Sequence, residues 1–358
     1  MINKYFLILV IIILGFSACE TNVENPTPDP INNPEYANWL IPKSQIILRT
    51  ASEDIIPAID YPTFINADKT PFLSDDDLIL GIDVEGEFRA YPISIMNYHE
   101  VVNDNFPNAD VLISFSPLSG TSAAWNRGDM NGFSSNFRVS KYIYNSNHIL
   151  FDHKTSSHWL PMYHKCVNGQ LEGFNTESYA IVETTWQNWK DMFPDTKVMS
   201  ILTGFNYNYT TDPYQNYKLS DSIEFYTQPL DSRLSIKEKV HGIIVNNRAK
   251  IYRYSSFAKK NTVLLDNFQG LSVVVAGNYD KKFIVSFERR ITAGIELDFS
   301  AINNYPDIIM RDNEGNKYNI FGLAVEGPDK GRQLKPASSI MGYWFALAAM
   351  FPDPIIYE

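Results

Sequence analysis

Cysteine is nearly absent from this 358-residue chain, which has two: Cys19 and Cys166. They form no Cys-x-x-Cys pair, so a dithiol redox motif or a thiolate metal knuckle is excluded. His-x-x-x-His spacing is missing too, and so is the Gly-x-Ser-x-Gly elbow of many serine hydrolases. No run of Lys and Arg occurs. With 30 Lys and Arg against 41 Asp and Glu, the net charge is −11, which repels a phosphate backbone and argues against a nucleic-acid partner.

What is present begins with an address. The apolar run from Tyr5 to Phe16 is too short to span a bilayer comfortably and has the shape of a signal-peptide core. The following Gly15-Phe16-Ser17-Ala18-Cys19 resembles a bacterial lipobox. Residues 1–19 are therefore read as a lipoprotein signal peptide ending at Cys19, which would carry the acyl (palmitate) chains. An ordinary secretory signal with an incidental cysteine is the alternative. Residues 20–36 are polar and proline-rich, as suits a disordered tether. The expected location is the cell envelope, with the membrane as a partner through the lipid. Glu20 offers no inner-membrane retention signal, which points to the outer membrane. With Cys19 lipidated, Cys166 has no partner for an intramolecular disulfide.

Beyond the tether, 44% hydrophobic and 14% aromatic residues are globular values. The chain also resembles itself. At an offset of 161, "LGIDVEGEFRAYP" from Leu80 parallels "HGIIVNNRAKIYR" from His241, matching Gly81 with Gly242 and Tyr91 with Tyr252. Further on, Asp104-Asn105-Phe106 matches Asp266-Asn267-Phe268, and Trp186 matches Trp344. The order is kept, so the chain reads as two homologous halves. A solenoid would need about three or more units. Residues 37–206 form the first half, 207–236 a polar, tyrosine-rich connecting segment, and 237–358 the second half.

Hydrophobic period gives the local structure. "ILGIDVEGEFRAYP" predicts two strands joined at Glu85-Gly86. "ISIMNYHEVVND" predicts a short helix, "DVLISF" a buried strand, and "TTWQNWKDMFPD" a helix stopped by Pro194. Further short strands are expected at "SAAWNR", "SNFRVS" and "HILFDH". Strands dominate, with about two short helices per half, so the expected class is α+β.

Several stretches, among them "NYHEVVND", "FSPLSGTSAAWNR" and "GYWFALAAMFPD", resemble the prokaryotic family known as domain of unknown function 3179. The resemblance runs from about Asp54 to Glu358 and implies no established activity. It does expose a departure: where this chain has Ser116 and Ser119, family members commonly carry cysteines in a Cys-Pro-Leu-Cys-Gly pattern. Serine hydroxyls supply neither soft metal ligands nor thiolate nucleophiles.

The candidate ligand-binding residues are His99, Asn103, Ser116, Ser119 and Asp152. His99 and Asn103 would share one stripe of the expected helix, beside a loop stiffened by Pro117 and Gly120. The plain alternative is that the pair cross-links neighbouring loops and that the serines cap a turn. Four of the six histidines lie between His148 and His164, but spacings of 5, 5 and 6 do not gather them on one strand face. Neither metal nor cofactor is therefore expected. The reading is a lipid-anchored protein that binds a small ligand or an envelope partner, or plays a structural role, without catalysis. The alternatives are a redox or metal-assisted enzyme remodelled at Ser116 and Ser119, and glycan binding through exposed aromatics.

Overall fold

The computed structural model describes residues 38–291 and 294–358; the leader, Cys19 and the tether lie outside them. Two short strands come first, β1 (Ile46–Leu48) and β2 (Phe64–Asn66). The predicted hairpin follows as β3 (Leu78–Val84) and β4 (Glu87–Pro92). Glu85 and Gly86 both take positive φ, 54° and 85°, as a tight two-residue hairpin turn requires. Next comes α1 (Ile93–His99), which is shorter than expected. Glu100 enters the left-handed region at φ 57° and closes the helix, its N–H donating to the Met96 carbonyl. Val101 and Val102, both β-branched, then open β5 (Val101–Asn105). The helical stripe expected to join His99 and Asn103 therefore does not exist. Asn103 belongs to a strand paired with β6 (Asp110–Ser116).

The first half continues with β7 (Thr121–Asn126), β8 (Phe137–Tyr144), β9 (Asn147–Asp152), β10 (Ser157–Leu160) and β11 (Lys165–Asn168). It closes with β12 (Ile181–Thr185), α2 (Trp186–Met192) and β13 (Lys197–Met199). Thr185 caps α2 through its hydroxyl, and the helix stops before Pro194 as its sequence predicts. The connecting segment holds α3 (Gln215–Leu219). Beyond it lie β14 (Lys239–Val245), β15 (Arg248–Arg253), β16 (Thr262–Phe268), β17 (Leu271–Asn278) and β18 (Phe283–Glu288). Four short strands follow: β19 (Phe299–Ala301), β20 (Met310–Asp312), β21 (Lys317–Tyr318) and β22 (Ala324–Glu326). The chain ends in β23 (Ser339–Tyr343), α4 (Trp344–Met350) and β24 (Ile355–Ile356). At 12% helix and 40% strand, the architecture is strand-rich and compatible with α+β. One expectation fails: where the first half has α1, the second has only a 3-10 turn, Tyr254–Ser256.

The sheets come in corresponding sets. One runs β12-β3-β4-β13, extended by β2; another runs β23-β14-β15-β24. In both, the first three strands are antiparallel and the last joins in parallel. The antiparallel triplets β5-β6-β7 and β16-β17-β18 also correspond. Each half adds a sheet of its own, β1-β8-β9-β10-β11 in the first and β19-β20-β21-β22 in the second.

Packing crosses between the halves. On α2, Trp186 and Trp189 share a core with Phe283 and Val285 of β18 and with Tyr318 of the β19–β22 sheet. On α4, Trp344 and Leu347 share one with Tyr142, Ile149 and Leu160 of the β8–β11 sheet. Each half's private sheet thus covers the other half's helix. Within each half a glycine lets the helix lie close on its own sheet, since a Cβ on Gly81 would overlap the Trp189 ring and one on Gly242 would meet Leu347 Cδ2 at 2.8 Å. Burying a ring such as Trp189 contributes about 3 kcal/mol.

Candidate functional site

The Phe115–Gly120 loop is a docking turn. Its Ser119 carbonyl accepts from the Tyr343 N–H of the second half at 2.7 Å. The first half reciprocates, with the Lys281 carbonyl accepting from the Thr185 N–H at 3.2 Å. Both turns need positive φ at the following residue, Gly120 at 66° and Lys282 at 55°. The Ser119 hydroxyl lies 2.8 Å from that of Thr121, and the Ser116 carbonyl accepts from the Gly120 N–H. Both serines are buried.

The other predicted residues are also enclosed. His99 Nδ1–H donates to the Pro57 carbonyl, and Nε2 accepts from the Tyr209 hydroxyl, both at 2.6 Å. Burial lowers its pKa, opposed by the Pro57 bond. Asn103 Nδ2 donates to Asp60, and its Oδ1 accepts from the Phe137 N–H, both at 2.8 Å. Asp152 accepts from the Thr155 N–H and hydroxyl and from the Trp159 indole. Ser116, Ser119 and Thr121 form one neighbourhood, while His99 points away to the connecting segment.

Between the β5–β7 and β8–β9 strands runs a chain that the sequence reading missed. His148 Nδ1–H donates to Glu100 Oε2 at 2.8 Å, and Nε2 accepts from the Ser114 hydroxyl at 2.9 Å. The order resembles nucleophile, base and orienting acid. All three residues are buried, with Ser114 at 0% exposure, and neither cavity described below is lined by them. The connecting segment lies across this end of the fold. Tyr209 meets His99, Tyr98 donates to the Thr211 carbonyl, Tyr217 donates to the Leu118 carbonyl, and Ser146 donates to the Phe225 carbonyl.

Another set of polar groups gathers where the halves meet, beside an open cleft. A cleft of about 440 Å³ opens there, walled by β12, β18 and β23 with contributions from β7 and β14. Near its floor His241 Nε2 lies 3.0 Å from the Ser286 hydroxyl, both buried. Burial pushes the His241 imidazole down to about 3, so it is neutral at physiological pH. By strand register these two residues occupy the places of Leu80 and Ala124 in the first half. That paired apolar-to-polar difference at matching positions was the sequence signal that could have pointed to this cleft. Glu183 is held by Lys239 at 2.7 Å, and Glu288 by Lys335 at 2.7 Å. His164 also lines the cleft and stands between it and a hollow of about 340 Å³. Its Nδ1 is shut from water and has no hydrogen-bond partner among the described residues. Burial pushes its pKa down to about 4.

Among the described residues, no group of three or more His, Cys, Asp and Glu is placed to hold a metal, and no helix is long and apolar enough to cross a membrane. Burial pushes the Cys166 thiol up to about 12, far from a reactive thiolate. Five of the six tryptophans are fully buried, which removes them as surface stacking platforms. Nothing among curated proteins or solved structures matches the chain. The model of one family, described as "Protein of unknown function (DUF3179)", matches residues 53–354, and the chain belongs to that family.

Proposed function

We propose that the protein is a non-catalytic binding protein of the cell envelope, anchored by lipid at Cys19, whose ligand occupies the cleft between two homologous halves. One observation carries the binding reading. The cleft is walled by both halves and holds a buried His241–Ser286 pair that the first half replaces with Leu80 and Ala124. Small-molecule sites favour such junctions, apolar walls with a few converging polar groups. Catalysis is disfavoured because a general base must take up a proton, and an imidazole held at about 3 resists doing so near neutrality. Descent of the halves from one module is supported by their common strand order and by the two corresponding turn-to-strand hydrogen bonds. The lipobox-like Gly15–Cys19 supports the anchor, and loss of palmitate labelling in Cys19→Ala would test it.

The binding reading is tested by a thermal-shift screen spanning anionic, cationic and neutral metabolites. A compound should raise the Tm of the wild type and not that of Ser338→Trp, since Ser338 is exposed at the cleft mouth. A screen without hits, or hits indifferent to that substitution, would overturn it.

A further inference from the structure

We infer that the cleft takes an uncharged carbohydrate of one or two rings, free or at the end of a chain. This rests on the reading of the cleft as a binding site.

Charge excludes the ionic classes. An anion would face the carboxylates of Glu183 and Glu288, and the one lysine lining the cleft, Lys335, already lies 2.7 Å from Glu288. A cation would have to compete with Lys239 and Lys335 for those same carboxylates. The two histidines add no charge at neutral pH.

What remains suits hydroxyl groups. Five serines line the cleft, from exposed Ser338 at the mouth to buried Ser286 at the floor. The Ser286–His241 pair can both donate and accept. The neutral His164 imidazole lies on the cleft wall beside them. Half-buried Tyr179 and Ile181 on the cleft wall supply apolar surface for the C–H face of a sugar ring. At about 440 Å³ the cleft sits toward the small end of ligand sites, which limits the occupant to about two rings.

The test is calorimetric titration of the mature protein with glucose, galactose, N-acetylglucosamine, maltose and cellobiose. Glucose 6-phosphate, adenosine and laurate serve as anionic, heteroaromatic and apolar comparators. At least one sugar should bind. Ser338→Trp, at an exposed position, should abolish binding at unchanged Tm, and Ser286→Ala should weaken it about tenfold while lowering Tm, since it also unpairs His241. A disaccharide tighter than its monosaccharide would support a chain end, and the reverse a free sugar. Binding of a comparator but of no sugar would overturn the carbohydrate assignment and leave the cleft as a site. Silence in every arm, together with an empty metabolite screen, would remove both.

Discussion

A tyrosine, an aspartate and a basic residue meet at corresponding places in the two halves, in different surroundings. In the first, Asp104 takes hydrogen bonds from Tyr91 and from Arg89, the latter at 2.7 Å, and Arg89 lies over the Phe106 ring at 3.8 Å. In the second, Asp266 takes them from Tyr252 at 2.7 Å and Lys250 at 2.6 Å. Asp104 is buried and Asp266 half-buried. The chemistry is shared; the covering is not. Added sheet and connecting segment enclose the first half's polar groups and commit them to architecture. The second half leaves its distinctive pair, His241 and Ser286, along a cleft.

Substitutions at matched positions sharpen that contrast. Asp104→Ala should have the largest effect, about 3–5 kcal/mol in urea unfolding, because it leaves the buried Tyr91 hydroxyl without its acceptor and Arg89 with Glu87 as its remaining carboxylate. Asp266→Ala should cost about 1–2 kcal/mol; equal losses would mean that the surroundings do not matter. Gly81→Ala follows at about 3 kcal/mol, since the Trp189 ring must shift. Gly242→Ala meets the flexible tips of Leu347 and Ile251 and should cost about 1.5 kcal/mol, both readable from melting curves.

Acid provides the third comparison. Burial holds folded His241 at about 3, below the ordinary 6.5, so below pH 6.5 the unfolded chain binds a proton that the folded chain does not. The stability it permits is full above that pH and falls as pH drops. Between pH 6.5 and 5 its share of the loss should be about 2 kcal/mol. His241→Leu, which installs the first half's residue, should remove that share from a pH series of unfolding midpoints. An unchanged acid slope would show that His241 is not kept neutral. The smallest effect is expected for Ser119→Ala, about 1 kcal/mol, because the seam uses its carbonyl and the hydroxyl reaches only Thr121. Ligand binding should be unaffected by it.

Local chemistry was readable in the residues. Glu85-Gly86 marked a hairpin, Pro194 the end of α2, and the repeated Asp-Asn-Phe a pair of matching positions, though not the strands they belong to. The helix overran because His99 through Asp104 has a tolerable helical pattern, and only pairing with β6 draws Val101–Asn105 into a strand. The seam cleft stayed hidden because Glu183, His241 and Ser286 come from strands far apart in sequence. Their proximity follows from how the halves dock. Conversely, the visible polar cluster of His99, Asn103 and Asp152 gave no hint that each side chain is already engaged inside the fold.

The exchange of covers between the halves bears on how the chain matures. Trp189 leaves the ribosome long before Phe321, the ring that packs against it at 5.9 Å. During synthesis the leading portion therefore carries an uncovered aromatic surface, and a holdase that binds such surfaces would guard it until the tail arrives. If the trailing portion of a neighbouring molecule arrives first, the same contacts would form between two chains, yielding an entangled pair at high expression.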